Sequence, residues 1–221
     1  MISRRRFGAG LLLAAGSAVT WRLPESLAGK QDFTQGGQVS AQSEPWARKL
    51  VSAARSQIGR TTIYDPAYVG LAYPMGDVPI ERGVCSDVVI RAYRDAFGMD
   101  LQQLVHEDMR RNFSSYPKRW GLKRPDRNID HRRVLNLEVF FERRKARLDV
   151  TGQARDYRPG DIVSQTLPGN LPHMAIVSDQ VSTDGTRPMI VHNIGAGTRL
   201  EDGLFAFQIT GHFRYAPASP A

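Results

Sequence analysis

A single cysteine, Cys85, stands in a chain of 221 residues that also carries five histidines, His106, His131, His173, His192 and His212. One thiol cannot build an internal disulfide, so Cys85 is either an inert small apolar residue or a nucleophile. A thiol attacks only as thiolate, which needs a helix N-terminus or an imidazole beside it. The pattern offers both. Cys85 opens CSDVVIRAYRDAF, in which Val88, Val89, Ala92, Tyr93, Ala96 and Phe97 recur along one helical stripe closed by Gly98. His173 begins the strand-like HMAIVSD after Pro172, and His192-Asn193 ends the next apolar segment. On neighbouring antiparallel strands His173 would serve as base, with His192 or Asn193 orienting its ring. No C-x-x-C or H-E-x-x-H pair occurs, so no metal is expected. Gly195-Ala196-Gly197 lacks the following helix of a phosphate cradle, and no cofactor is expected either.

The elements that must position these groups follow from periodicity. Apolar residues at helical spacing predict helices over 45–58, 85–97, 101–115 and 137–148, with Gly59 stopping the first. Between the first two lies an irregular stretch, 64–83, punctuated by Pro66, Pro74 and Pro79. After Tyr157 the period changes to short β-rich segments at 161–166, 173–178, 188–193 and 212–215, an antiparallel meander. Helices first and strands second predict an α+β domain, the N-terminal helices packed on one face of a small antiparallel sheet. Asp161, after Gly160 at a strand start, is expected to cap a turn. His106, Glu107 and Asp108 form one polar cluster, and Asn128, Asp130, His131, Arg132 and Arg133 a second, each read as a solvated face or a loop network.

Length allows one core, placed at 44–217, with 218–221 as a tail. The N-terminus reads as an export signal: the twin arginine of Ser3-Arg4-Arg5-Arg6-Phe7, an apolar run over 8–19, then small residues at Ser26-Leu27-Ala28. That run falls short of the roughly 20 residues a spanning helix needs, so no permanent membrane span is expected. Residues 1–28 form the signal peptide on this reading. Residues 29–43, rich in Gln, Gly and Ser, form a flexible linker, and the mature domain is periplasmic or secreted. Formal charge is +8; removing residues 1–28 takes away four arginines and one glutamate and leaves +5. The basic pairs Arg110-Arg111 and Arg132-Arg133 and the run Arg143-Arg144-Lys145 are dispersed, with no nucleic-acid module around them, so a nucleic-acid partner is not expected.

Cysteine at a helix start, a Gly-Asp-hydrophobic strand (Gly160-Asp161-Ile162-Val163), then His-x-Ala-Ile-Val and Val-His is an order that resembles the NlpC-type cell-wall peptidases of the papain-like superfamily. From about Ser52 to Tyr215 the chain is also similar to the bacterial family called domain of unknown function 1287. The segments DPAYV, GDVP, GVCSDVVIRA, LVHEDM, NIDHRRV and HNIGAG carry that resemblance. It implies a papain-like fold, Cys85 as nucleophile, His173 as base and His192 as third polar residue. It also implies oxyanion support from Tyr73, 12 positions before the cysteine, and substrate contacts from Asp130, His131, Arg132 and Arg133, arginine being able to clamp a carboxylate bidentately. The expected reaction is hydrolysis of an amide bond in peptidoglycan or a related peptide. Asp87 stands where the peptidases have glycine after Cys-Ser, and the Gly-Gly after the tyrosine is missing. These departures motivate two alternatives, a non-catalytic exported binding domain with a degenerate site and a thiol transferase using the same acyl-enzyme chemistry.

Overall fold

A computed structural model describes residues 44–217; the expected signal peptide, linker and tail lie outside the described residues. Pro45, whose fixed φ suits a first helical turn, starts α1 (Pro45–Arg55), which buries Ala47, Leu50, Val51 and Ala54. It stops three residues earlier than periodicity predicts, and Gly59 at φ 77° follows the turn. The irregular stretch contains two short strands, β1 (Ile63–Tyr64) and β2 (Arg82–Gly83), paired in parallel. Next comes α2 (Cys85–Phe97), which ends on Gly98 at φ 67°, where the Gly98 and Met99 amides close the last turn. Its first nine residues, Cys85 to Tyr93, are all buried, so α2 is the central helix.

α3 (Leu101–Asn112), N-capped by the Asp100 carboxylate on the Gln102 amide, gives way to a 3-10 turn over Phe113–Ser115. A buried 3-10 turn, Asp130–Arg132, leads into α4 (Val134–Arg143). Here the sequence reading needs correction. The helix begins three residues earlier than expected and ends at Arg143, because Arg147 and Leu148 form β3 against Phe213 and His212. The remaining strands are β4 (Ile162–Leu167), β5 (Leu171–Val181), β6 (Pro188–Asn193), β7 (Thr198–Glu201) and β8 (Gln208–Phe213). All pairings of this sheet are antiparallel, in the order β3-β8-β4-β5-β6-β7.

Alternation divides the sheet's two faces. Met174, Ile176 and Val191 join the helices in the main core with Leu50, Val89 and Phe140. Val163, Ala175, Val177 and Ile190 pack with Tyr157 and Leu204 in a smaller cluster on the other face. The α+β architecture, with helices against an antiparallel sheet, is therefore the observed one. Of the two strands of this sheet that periodicity did not predict, β3 and β7, the second follows a forced turn. Gly197, at φ 84°, turns the chain into it, and a β-carbon there would lie 2.6 Å from the Thr61 carbonyl oxygen. The Thr198 amide bonds that same carbonyl at 2.8 Å.

Candidate active site

Cys85 sits at the first turn of α2, in the notch where β5 and β6 part. The β5–β6 ladder ends at Ile176↔Val191, and the Met174 backbone amide is the strongest influence favouring the Cys85 thiolate. Two further amides, of Ser86 and of Cys85 itself, approach the sulfur from the open helix N-terminus. These favour the thiolate, but burial dominates and, with Asp87 nearby, pushes the thiol up to about 11. Cys85 is 4% exposed.

One residue before Met174 stands His173. Extending the register from Ile176↔Val191 sets Ala175 opposite His192 and His173 diagonally beside it on the same face. The rings meet, His173 Nε2 to His192 Nδ1 at 2.9 Å, and His192 Nε2 lies 2.9 Å from Glu201 Oε2 on β7. Hydrogen-bond logic fixes the tautomers. A carboxylate only accepts, so His192 Nε2 donates to Glu201. In the arrangement with one proton on each ring, His192 Nδ1 accepts from the His173 Nε2 proton, which leaves His173 Nδ1 with a free lone pair. Burial, reinforced by His192, drives the His173 pKa well below the usual imidazole value, so the ring is neutral. Burial works to raise the Glu201 carboxyl, but the His192 bond together with the charge of Arg199 holds it below its ordinary value. Among the described residues, no direct hydrogen bond joins the Cys85 sulfur to the His173 ring; Cys85 packs with Met174 and Ile176, whereas alternation along β5 sets His173 on the face of Ala175 and Val177.

Asn193, the other candidate orienter, is engaged elsewhere: its amide donates to the Gly83 carbonyl at 3.1 Å and its oxygen accepts from Gly195. It ties the end of β6 to the entry of α2. Tyr73 packs edge-on against His106 at 5.2 Å with Arg127 over its ring. The tyrosine whose electrostatic neighbours are Cys85, Asp87 and Arg132 is Tyr64; burial first, then Cys85 and Asp87, raises its pKa. Sequence reasoning missed both Tyr64 and Glu201. The signal for Glu201 was present as the alternation Thr198-Arg199-Leu200-Glu201 after the glycine turn.

Asp87 and the 130–133 segment explain one another. Asp87 accepts the Val84 amide at 2.7 Å and forms a two-pronged pair with Arg132, Nε to Oδ1 and Nη2 to Oδ2 both at 2.9 Å, fully inside the protein. Arg132 also donates to the carbonyls of Ala67 and Asp65. Asp130 pairs with Arg133 at 2.8 Å, and Arg133 lies over Trp120. His131 is buried, and burial lowers its pKa to about 3. The Asp87–Arg132 pair holds the 126–133 turn against the start of α2, and His131 Nδ1 has no hydrogen-bond partner among the described residues. Asp161 does more than cap its turn. It takes the Arg158 amide and also bonds His212 Nε2 at 2.8 Å and Arg214 at 2.7 Å. Among the described residues no group of three acidic, histidine or cysteine side chains is placed to hold a metal ion, and no helix is long and apolar enough to cross a membrane.

The fold and site define an α+β domain with one buried cysteine at a central helix start and a His-His-Glu relay running from the adjoining strand. The family model described as "Domain of unknown function (DUF1287)" matches residues 51–215, and the chain belongs to that family. It is 57% identical over 166 residues to the Uncharacterized protein YijF of Escherichia coli (strain K12), covering 75% of this chain and 80% of that relative.

Proposed function

We propose that this protein is an exported thiol hydrolase of NlpC-type, papain-like kind that cleaves amide bonds in the peptides of the cell wall. The observation that carries this reading is the 2.9 Å His173–His192 contact, completed by Glu201, with the residue after His173, Met174, sharing the core with Cys85. In the proposed cycle the His173 ring turns through the gap beyond the Ile176↔Val191 pair and takes the Cys85 proton at Nδ1 as the sulfur adds to the substrate carbonyl. The imidazolium then returns that proton to the leaving amine, and water hydrolyses the thioester. The relay supports this step because the developing His173 cation is met by His192 and, beyond it, by the Glu201 carboxylate. Amides of the α2 N-terminus, with the Tyr64 hydroxyl that senses the Cys85 charge, would stabilise the oxyanion. The twin-arginine start and the basic surface support export and an anionic wall substrate.

Cysteine burial, the raised thiol pKa and the missing sulfur–imidazole bond favour a second reading, an exported binding domain that keeps the constellation without turnover. Digestion of purified wall peptides, followed by mass spectrometry, separates the two. The hydrolase releases new amine and carboxylate ends, Cys85→Ala releases none, and His173→Ala slows release at least about 100-fold. Intact peptides after incubation with wild-type protein would sink the hydrolase reading and leave the binding domain.

A further inference from the structure

A second constellation lies at the other end of the 64–76 loop. On α3, His106 and Arg110 are one turn apart and share a helix face. Tyr73 meets the His106 ring edge-on at 5.2 Å, and the Arg127 guanidinium stands 5.6 Å from the Tyr73 ring centre. Both arginines are exposed, and neither guanidinium has an ion-pair or hydrogen-bond partner among the described residues. The nearest carboxylates are already committed: Glu107 to Gln103 and Arg111, Asp126 to Tyr68 and the Asn128 amide. His106 Nδ1 is buried and has no partner among the described residues.

The backbone behind this cluster is fixed rather than loose. Gln102, with no exposed surface, donates to the carbonyls of Ala72 at 2.9 Å and of Arg127 at 3.2 Å, and accepts the Gly76 amide at 2.9 Å. One buried amide thus staples the residue before Tyr73, and Arg127 itself, to the helix that carries His106 and Arg110. A Leu71 amide bond to Asn128 adds a second staple. Two unpaired guanidiniums, a tyrosine hydroxyl and an imidazole held this way supply planar, charge-assisted donors to an oxyanion of carboxylate size. The field agrees with the geometry: burial, then Arg110 and Arg127, lowers the His106 pKa, and the opposing pull of Asp126 and Glu107 does not cancel them.

We propose that Arg110, Arg127, His106 and Tyr73 form a carboxylate-binding site that holds an acidic group of the peptide on which Cys85 acts. The word substrate rests on the hydrolase reading; the carboxylate site itself does not. The same loop that carries Tyr73 carries Tyr64 beside Cys85, so both ends of a bound peptide would be set by one segment.

Ring resonances of His106 in the full chain, assigned with His106→Gln, are followed while glutarate, glutaramide or inorganic phosphate is added. Glutarate shifts them saturably and glutaramide does not. Arg110→Gln and Arg127→Gln each weaken the apparent affinity about 10-fold, and Arg124→Gln, an exposed arginine outside the cluster, leaves it unchanged. No saturation with glutarate, or equal weakening by Arg124→Gln, would overturn the site. Phosphate binding more tightly than glutarate would overturn the carboxylate assignment in favour of a phosphate group. Cys85→Ala binds glutarate like wild type, so failure of peptide hydrolysis with this binding intact counts against the hydrolase reading alone.

Discussion

Two protonation states at the centre of the site set testable limits on its chemistry. The Cys85 thiol is raised from 9.0 to about 11, chiefly by burial, so the native state holds a proton that the unfolded chain releases. The stabilisation is therefore present below about pH 9 and is lost as pH rises through about 11. A 2-unit shift is worth about 2 to 3 kcal/mol. Urea unfolding at pH 8 and pH 11 measures this loss, and Cys85→Ala flattens the alkaline slope. A slope unchanged in that variant would place the titration on another group. His173 has the opposite sign: held neutral, it stabilises the native state at neutral pH, and that contribution fades as pH falls below about 6.5. Glu201→Gln tests the relay. A neutral amide can present its N–H to His192 and reverse the tautomers, so kcat on a wall peptide falls about 10-fold or more with KM little changed. Equal kcat in the variant would remove Glu201 from the machinery.

Between elements, the Asp87–Arg132 pair joins the first turn of α2 to the 3-10 turn before α4. Truncating one partner leaves the other charged and buried, so Asp87→Ala costs about 3 to 5 kcal/mol of stability by chemical denaturation. The double variant Asp87→Ala with Arg132→Met recovers part of that loss, because the uncompensated charge is gone. The same pair accounts for an aspartate in the first turn of α2: the helix start is clamped from the 3-10 turn by Arg132. Glycine does equivalent service at the entry to β7. Gly197→Ala must both hold φ at 84° and push a methyl against the Thr61 carbonyl. The strand that presents Glu201 to His192 depends on that turn.

At the scale of the whole molecule, residues 44–217 hold one antiparallel sheet with an apolar cluster on each face, a length that suffices for one core. A fragment of those residues alone unfolds in one cooperative transition, with a Tm within about 3 °C of the full chain. Two separate transitions, or a markedly lower Tm, would show that flanking residues take part in the core. β8 reaches across both β3 and β4, and His212 and Arg214 meet Asp161 there, so the last strand locks the sheet's far edge.

Much of this was legible in the chain because it is local. The span of α2, its glycine stop, the segment of β6 and the change from helical to strand period all depend on residues within a turn or a few positions of one another. The placing of Cys85 at a helix start follows from them. Pairing partners were not legible. Tyr64 and Tyr73 share one loop and one side-chain type, and only the staples from Arg132, Asn128 and Gln102 decide which meets the sulfur's surroundings and which meets His106. Likewise His192 and Asn193 are neighbours in sequence but point to opposite faces of β6. Register alone gives one to His173 and the other to Gly83. Residue type and spacing determined which groups were available for chemistry. Tertiary structure decided their partners and their proton affinities, because burial and hydrogen-bond geometry arise only when segments 20 to 110 positions apart are packed together.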